Sequence, residues 1–256
     1  MNNYDAIVIG AGHNGLTNAA YLAKAGLKVA VLERNPYIGG ATVSRELHKG
    51  WYYSNCSYVC SLLRPEIARD LELPRHGLQV VPFGGGATFM RNGDHLGNYH
   101  DHDRHYREMA RHSKRDANAY DRYTADVTKQ TRLIRPFLMR TPPDPTSMKP
   151  RDLSDLLDFA KAFLNMGEAG LADTIAFWTK SVGDYLGEYF ETDVIKAHMA
   201  GSGIIGTALG VYSPGTAYVL LHHYMGDVDG NVGSWGFARG GMGAVADAIA
   251  KAFKSY

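Results

Sequence analysis

The sequence has few cysteines, almost no net charge and no long apolar segment. Its 256 residues include only two cysteines, Cys56 and Cys60, and sparse cysteine is typical of a reducing compartment rather than of a disulfide scaffold. The formal net charge of +1 gives no electrostatic reason to expect a nucleic-acid partner. The first residues have neither the basic and apolar regions of a secretory signal nor the arginine-rich composition of a transit peptide. These absences predict a cytoplasmic protein.

The most apolar stretch, residues 203–221, is interrupted by glycine, serine and proline. It is therefore not predicted to cross a membrane, although peripheral contact with a membrane stays open. Internal repeats and low-complexity tracts are also absent from the sequence. A chain of this length can bury the core of one large domain or of two small ones.

Glycine, by contrast, is frequent, and its first cluster lies in a βαβ pattern. The segment YDAIVIG is predicted to be a strand with apolar side chains buried on both faces, as in parallel sheets. NGLTNAAYLAKAG is predicted to be a helix that ends at Gly26, and KVAVLER a second strand. A right-handed crossover would place the two strands side by side.

The turn between the first strand and the helix has the sequence GAGHNG. Gly10 permits a sharp turn, Gly12 lets a pyrophosphate approach the backbone, and Gly15 lets the helix pack closely against the sheet. Backbone N–H groups at the start of the helix would then face the phosphates. Glu33 closes the second strand, where a carboxylate accepts hydrogen bonds from ribose hydroxyls and disfavours the 2′-phosphate of NADP. The pattern predicts a dinucleotide site.

A glycine pair, Gly39 and Gly40, follows Glu33 in ERNPYIGG. With this pair, the segment from GAGHNGL to YIGGA resembles the amino-terminal FAD-binding segment of the phytoene desaturase and amine oxidase type flavoproteins. In such families the pair helps to shape the pocket for the ribose and pyrophosphate of FAD, and the position of Arg34 is often basic or small. The resemblance implies FAD rather than NAD. It assigns cofactor binding to Gly10, Ala11, Gly12, Asn14, Gly15, Glu33, Arg34, Gly39 and Gly40.

Later segments are similar to one branch, the phytoene desaturase-like FAD-dependent oxidoreductases: residues 60–78, 114–123, 181–197, 212–223 and 233–252. The implied fold class is α/β, with an N-terminal Rossmann-like FAD-binding βαβ unit and a largely helical α+β substrate domain. The implied domains are the N-terminal part of the FAD/NAD(P)-binding domain at 1–60, a substrate-domain insertion at 61–238, and a helix at 239–256 that returns to the FAD domain. Members of the branch are longer, so the FAD domain is expected to be incomplete. The chain is expected to be the amino-terminal half of a longer protein, with a natural short form as the alternative.

The resemblance implies dehydrogenation or desaturation of an apolar or amine substrate, with hydride transfer to the flavin. The expected partner is a small apolar substrate. No acid–base pair is visible in the sequence, so the catalytic residues, the electron acceptor and the oligomeric state stay unassigned. Two other functions stay open. One is a non-catalytic binding or assembly protein that keeps the fold, and the other is an NAD-dependent dehydrogenase, which ERNPYIGG disfavours.

The cysteines and a cluster of histidines each have a structural and a chemical interpretation. Cys56 and Cys60 have C-x3-C spacing, whereas the redox pair of the disulfide reductases resembles C-x4-C, and apolar neighbours favour core packing for both. His102 and His105 lie one helical turn apart and could share a metal. Caps and solvated side chains are favoured instead, so no metal is predicted. The full cluster is His95, His100, His102, His105 and His112.

The middle of the chain is predicted to be mostly helical. A single long helix is predicted over residues 103–134, after a hairpin that turns at Asn92 and Gly93. Aromatic residues in this region either line an apolar cavity or form core at helical spacing, and core is favoured. They include Trp178, Tyr185, Tyr189 and Phe190. The glycine turn at 240–243 is favoured as a structural return to the FAD domain rather than as a second phosphate site, because no buried strand is predicted directly before it.

Overall fold

The structure is a computed structural model that describes residues 3–256. The chain forms two compact units. The first joins the chain up to Phe83 with Gly226–Tyr256, and the second is Gly84–Met225. Each unit has its own buried apolar core.

Short strands alternate with helices along the chain. The strands are β1 (Ala6–Ile9), β2 (Val29–Leu32), β3 (Ser44–His48), β4 (Trp51–Ser54), β5 (Val80–Pro82), β6 (Gly85–Phe89), β7 (His95–Tyr99), β8 (Asp227–Val228), β9 (Asn231–Val232) and β10 (Gly236–Ala238). The helices are α1 (His13–Lys24), α2 (Pro65–Asp70), α3 (His102–Ala110), α4 (Lys114–Ile134), α5 (Pro150–Leu164), α6 (Gly167–Thr179), α7 (Val182–Gly187), α8 (Asp193–Ala200), α9 (Thr216–Tyr224) and α10 (Gly243–Ser255). This mixture confirms the predicted α/β class.

The predicted βαβ unit is confirmed. β1 and β2 pair in parallel, with Ala6 opposite Val29. Between them α1 buries Leu16 and Ala20, which lie on one face because they are four residues apart. Gly26 follows the helix with a φ of +90°, a left-handed conformation that glycine adopts without steric cost, and this conformation ends the helix as predicted.

The prediction that β1 is buried on both faces is wrong. The exposed fractions are 61% for Ile7 and 87% for Ile9. The sheet has two strands, and α1 packs against both of them. A sheet face with no layer packed against it leaves its apolar side chains in contact with solvent.

The core of the first unit forms where α1 packs against α10. Ala20 and Ala246 are completely buried in this core. Small side chains on both helices permit a close approach, which favours dispersion contacts between them. The chain segment from Gly26 to Gly243 therefore begins and ends beside two helices, α1 and α10, that pack against each other in the first unit.

An antiparallel pair, β5 with β10, extends the first unit beyond its predicted limits. Gly236 lies opposite Pro82, and Ala238 lies opposite Val80. The first unit therefore includes residues up to Phe83 and from Gly226, whereas the predicted domains divide at 60/61 and 238/239. The assignment of cofactor and substrate roles to the predicted domains stays a prediction.

The second unit is mainly helical, and its core surrounds Tyr123 of α4. The Tyr123 ring is completely buried, and the centroid of the Phe190 ring lies 5.3 Å away. Tyr185, Tyr189 and Tyr224 also present rings to it, at 6.1, 5.6 and 6.4 Å between centroids. These distances fall in the range at which aromatic rings attract each other beyond simple burial. We call these five residues the ring cluster.

The predicted helix over 103–134 is wrong as a single element, since α3 and α4 are separated at residues 111–113. The Ser113 side chain accepts a hydrogen bond from the Asp116 N–H at 3.1 Å, which caps the start of α4. The Asp116 carboxylate is buried and accepts from the N–H groups of Glu191 and Thr192 at 2.8 and 2.9 Å. These bonds fix the start of α4 at this point of the chain.

Two hairpins differ in how well they were predicted. β6 and β7 pair across Asn92 and Gly93, as predicted, and Gly93 has a φ of +86°. The β3–β4 hairpin was not predicted. Trp51 and Tyr52 are neighbours in the sequence, and both are exposed. The hairpin therefore lacks the alternation of apolar and polar residues that predicts a half-buried strand.

Among the described helices, none combines the length and the apolar composition that crossing a bilayer requires.

Candidate nucleotide-binding site

The sharp turn after β1 depends on Gly10 and Gly15. Gly10 has a φ of +98°, and its N–H donates to the Leu32 carbonyl at 2.7 Å, which attaches the turn to β2. A Cβ on Gly15 would lie 2.2 Å from the Gly10 carbonyl oxygen. No side chain fits at that distance, so α1 can pack this close to the turn only with glycine at position 15.

A second close approach joins the turn to the glycine pair. A Cβ on Gly40 would lie 3.1 Å from the Gly12 Cα, and the φ of Gly40 is +56°. The Gly39 N–H donates to the Ala11 carbonyl at 2.8 Å, and the φ of Gly39 is +115°. Two backbone segments therefore meet without side chains between them. The resemblance implies that Gly39 and Gly40 help to shape the cofactor pocket, and the structure brings this pair against the turn.

Glu33 holds the same turn from the end of β2. One carboxylate oxygen accepts from the Ala11 N–H at 2.8 Å, and the other accepts from the backbone N–H and the side-chain amide of Asn35 at 2.8 and 2.9 Å. The hydrogen bonds from Asn35 and then from Ala11 hold the pKa of Glu33 below its ordinary value. The carboxylate is therefore ionised at neutral pH, and its remaining lone pairs can accept from hydroxyl groups.

The start of α1 has the electrostatics of an anion site. Its N-cap is Gly12, so no side chain caps the helix, and its first turn has no acidic residue. A helix start carries partial positive charge from its N–H groups, which attracts phosphate. Asn14 and Arg34, the two other predicted polar residues, have exposed side chains. The roles of all nine predicted residues in cofactor binding stay a prediction.

Two residues at this site were missed by the sequence reasoning. Asn35 supplies two of the three hydrogen bonds on Glu33, yet its position outside the fingerprint gives no signal. His13 is the first residue of α1, and its Nδ1 is buried with no hydrogen-bond partner in residues 3–256. His13 lies within GAGHNG, so its place in the motif was a signal that could have been used.

The glycine turn at 240–243 has a different environment. The N–H of Gly243 donates to Ser44 Oγ at 3.0 Å, and the N–H of Met242 donates to Ser54 Oγ at 3.1 Å. The start of α10 is therefore already satisfied by serine hydroxyls of the β3–β4 hairpin. These contacts agree with a structural role for the turn. The short strand β10 precedes the turn, but its Phe237 is 52% exposed, so it is not a strand buried on both faces.

The two cysteines lie in different environments and form no disulfide. Cys60 is buried in the core of the first unit, and burial raises the pKa of its thiol. Cys56 is exposed, so the expectation of core packing is wrong for this residue. A neutral, buried thiol at Cys60 is a poor nucleophile, which agrees with the preference against redox chemistry.

The histidine cluster spreads over several environments. His102 Nε2 lies 2.9 Å from an Asp121 carboxylate oxygen, whereas His105 is buried with both ring nitrogens unpartnered in residues 3–256. Asp101 caps α3 by accepting from the Arg104 N–H at 2.7 Å, as the cap interpretation predicts. The described part of the chain contains no group of three His, Cys, Asp or Glu residues placed to hold a metal ion.

Comparison with known proteins agrees with this geometry. A family model described as an NAD(P)-binding Rossmann-like domain matches residues 8–68, which include every predicted cofactor residue. The chain is 39% identical to pyridine nucleotide-disulfide oxidoreductase domain-containing protein 2 of Mus musculus over 96% of its own length and 45% of the mouse protein. The chain thus spans about half the length of the curated relatives it matches over its whole length.

Two further similarities concern oxidoreductases. A limonene dehydrogenase polypeptide of Castellaniella defragrans is 35% identical over 45% of this chain and 21% of that protein. The structure of wild-type putrescine oxidase bound to putrescine matches 98% of this chain and 49% of that chain, with a TM-score of 0.55 and 19% identity. The second similarity establishes a shared fold. The 39% identity over 96% of this chain makes the chain a homologue of about half of pyridine nucleotide-disulfide oxidoreductase domain-containing protein 2.

Proposed function

We propose that this chain supplies the FAD-binding N-terminal part of an oxidoreductase that dehydrogenates or desaturates a small apolar or amine substrate. The observation that carries the proposal is the backbone cradle at the nucleotide site, where Gly12 and Gly40 meet without side chains and Glu33 holds the adjoining turn. A cradle that any Cβ would narrow is suited to a ligand that approaches the backbone closely, as a pyrophosphate does.

The residues of the cradle fit FAD in charge and in hydrogen-bonding capacity. The start of α1 offers N–H groups and the positive end of the helix to the pyrophosphate. Glu33 has lone pairs left for ribose hydroxyls, and the hydrogen bonds from Asn35 and Ala11 keep it ionised. Gly39 and Gly40 bring a second backbone segment without side chains against the turn, and the side chains of Asn14 and Arg34 are exposed to solvent.

When bound, the flavin supplies a two-electron acceptor for a hydride. The residues of this chain would bind and orient the cofactor, since no acid–base pair for the chemistry was recognised among them. The fixed Glu33 carboxylate would hold the ribose, and the uncapped helix start would hold the phosphates. Rigid backbone contacts of this kind lose little entropy on binding, which favours a tightly held cofactor.

The names of two similar proteins support the proposed substrate classes. Limonene dehydrogenase is named for an apolar hydrocarbon, and its similarity covers 117 aligned residues. Putrescine oxidase was solved with an amine bound, and its similarity extends to the fold alone. We further propose the cytoplasm as the location of the protein, on its sparse cysteine.

The test is a fluorescence titration of the full chain with FAD and, separately, with NAD. We expect FAD fluorescence to be quenched on binding, and Glu33→Ala to weaken FAD binding by about tenfold through loss of charge-assisted hydrogen bonds. Glu168→Gln is the matched control, because Glu168 lies in the first turn of α6 in the second unit. Binding of NAD without FAD would instead support a dehydrogenase, and binding of neither would support the non-catalytic role.

A further inference from the structure

A cleft of about 230 Å³ lies entirely within the second unit and includes no residue of the nucleotide site. One wall is α4, which contributes Asp126, Lys129 and Gln130 from one helix face. The facing wall is α6, which contributes Asp173 and Phe177. We call this space the α4–α6 cleft. Its volume is far above the roughly 15 Å³ that one water molecule requires, so a small organic molecule fits.

The first sign of a missing ligand is Gln130. This side chain is buried, and its Nε2 donates to Thr174 Oγ1 at 3.0 Å. The Thr174 hydroxyl lies 3.9 Å from the Met166 sulfur and can donate to it while it accepts from Gln130, which agrees with the assigned orientation of the amide. Gln130 Oε1 is left without a partner in residues 3–256. A buried amide oxygen of this kind requires a donor.

The second sign is the environment of Tyr185 on the floor of the cleft. Its hydroxyl is buried and makes no hydrogen bond of good geometry within residues 3–256. Burial is the main cause that raises the pKa of Tyr185, interaction with the Tyr189 hydroxyl is the next, and the carboxylates of Asp126 and Glu188 raise it further. The lining of the cleft therefore combines two aromatic residues, Tyr185 and Phe177, with carboxylates and with the unpartnered oxygen of Gln130. Ammonium groups are attracted by all three features.

The third sign is a pair of free charges on the rim. Lys180 is paired with Glu188, and Asp126 accepts from the Tyr189 hydroxyl at 2.8 Å. By contrast, Lys129 on α4 and Asp173 on α6 make no ion pair or side-chain hydrogen bond with any described residue. They also do not pair with each other across the cleft. Lys129 and Asp173, on opposite walls, are thus the charged residues of the lining with neither an ion pair nor a side-chain hydrogen bond within residues 3–256, and Asp126 has a hydrogen bond but no ion pair.

We propose that the α4–α6 cleft binds the zwitterion of a free amino acid, with the ammonium group on Gln130 Oε1 and Asp173 and the carboxylate on Lys129. This arrangement supplies the donor that Gln130 lacks and pairs both free rim charges. A ligand with one charge would leave either Lys129 or Asp173 unpaired. The site stands apart from the proposed FAD function, because it uses no residue of the nucleotide site and its occupancy does not require a flavin.

The test is isothermal titration calorimetry on the full chain with L-leucine, whose side chain suits the ring of Phe177. Isopentylamine lacks the carboxylate of leucine, and 4-methylpentanoate lacks its ammonium group. We expect leucine to bind about tenfold more tightly than either single-charge analogue, as expected when two ionic contacts act together. Binding is expected with or without added FAD, which separates this proposal from the one on the nucleotide site.

Variants assign each contact. Lys129→Met is expected to weaken leucine binding about fivefold and to leave isopentylamine binding unchanged. Asp173→Asn is expected to weaken both, because both ligands carry the ammonium group. Lys114→Met on the same helix is the control, since Lys114 does not line the cleft. Both rim residues have side chains that reach solvent, so their variants are expected to keep the far-ultraviolet circular dichroism of the parent.

Several results would overturn the proposal. One is the absence of binding heat with leucine at millimolar concentration. Another is isopentylamine or 4-methylpentanoate binding as tightly as leucine, which would make this a cation or an anion site. A third is an equal loss of affinity in Lys129→Met and Lys114→Met, which would place binding outside the cleft.

Discussion

In the glycine turn of the first unit, backbone atoms approach one another because side chains are missing, whereas the ring cluster of the second unit is filled by large side chains. A Cβ on Gly15 would lie 2.2 Å from a carbonyl oxygen. Tyr123 has a completely buried ring in contact with the four other rings of the cluster and with Tyr120. In the turn a single added carbon would clash with the backbone, whereas in the ring cluster the removal of one ring would leave a cavity.

The two units therefore differ in the kind of substitution that destabilises them. Close backbone contacts tolerate no added volume, because neither partner can move without disturbing a strand or a helix. A packed core loses stability when volume is removed, because neighbouring side chains only partly fill the space. Measured free energies of unfolding should therefore respond to opposite kinds of substitution in the two units.

The largest expected effect comes from removing volume in the ring cluster. Tyr123→Ala should lower the free energy of unfolding by about 4 kcal/mol, measured by urea denaturation, because it leaves a cavity among aromatic rings. Tyr123→Phe is the control, since it removes only the hydroxyl that donates to Tyr224 at 3.2 Å, and should cost about 1 kcal/mol. Equal losses in the two variants would contradict the importance of ring packing.

Adding volume in the glycine turn should have the next largest effect. Gly15→Ala should lower the free energy of unfolding by about 2 kcal/mol and abolish FAD binding, because the new methyl group must push α1 away from the Gly10 carbonyl. Gly187→Ala in α7 is the matched control, as a Cβ there meets nothing within 4 Å. It should leave stability unchanged or raise it slightly. An unchanged free energy of unfolding and unchanged FAD binding in Gly15→Ala would contradict the proposed difference between the two units.

A smaller effect is expected from acid in the second unit. Burial lowers the pKa of His105 from its ordinary value of 6.5, with further lowering by His198 and His102 and an opposing effect of Glu108. Burial also lowers the pKa of His198. The unfolded chain therefore takes up protons at higher pH than the folded chain does. Stability is fully present above about pH 6.5 and falls as the pH drops below it.

Unfolding free energies measured between pH 7.5 and pH 5 check this expectation, with pH values chosen to span about one unit on either side of the ordinary histidine pKa. His105→Gln should reduce the slope of stability against pH. His48→Gln, at an exposed position of the β3–β4 hairpin, should leave the slope unchanged. A slope that is identical in all three proteins would show that His105 is not the responsible group.

The smallest effect on stability is expected from Glu33→Gln. The side-chain amide keeps one oxygen acceptor for the turn, and the site is accessible to solvent, so the unfolding transition should hardly change. FAD affinity should still fall, because a neutral acceptor forms weaker hydrogen bonds than a carboxylate. A large loss of stability with unchanged FAD binding would show that Glu33 acts only to hold the turn.

Local features of the fold were predictable from the sequence. The strand–turn–helix–strand order around GAGHNG depends on neighbours within a few residues, and so does the turn at Asn92 and Gly93. Glycines with positive φ at the ends of elements leave a direct signal in the sequence. The candidate nucleotide site was predictable for the same reason, since its residues lie within Gly10–Gly40.

Other features depend on distant partners and left no local signal. The break before α4 depends on Asp116 meeting the backbone of Glu191 and Thr192, which lie 75 and 76 residues later. The pairing of β5 with β10 joins residues more than 150 positions apart. The exposure of Ile9 depends on what packs against the sheet, which the apolar pattern of β1 does not show.

The sequence by itself determined the glycine turn and its acidic partner, because steric freedom at Gly10, Gly12 and Gly15 and the charge of Glu33 are properties of single residues. Only the tertiary structure decided which residues form the α4–α6 cleft. Gln130 and Asp173 are separated by 42 intervening residues, and neither stands out alone. Their meeting depends on how two helices pack, and helix packing is decided by the shapes of many side chains together.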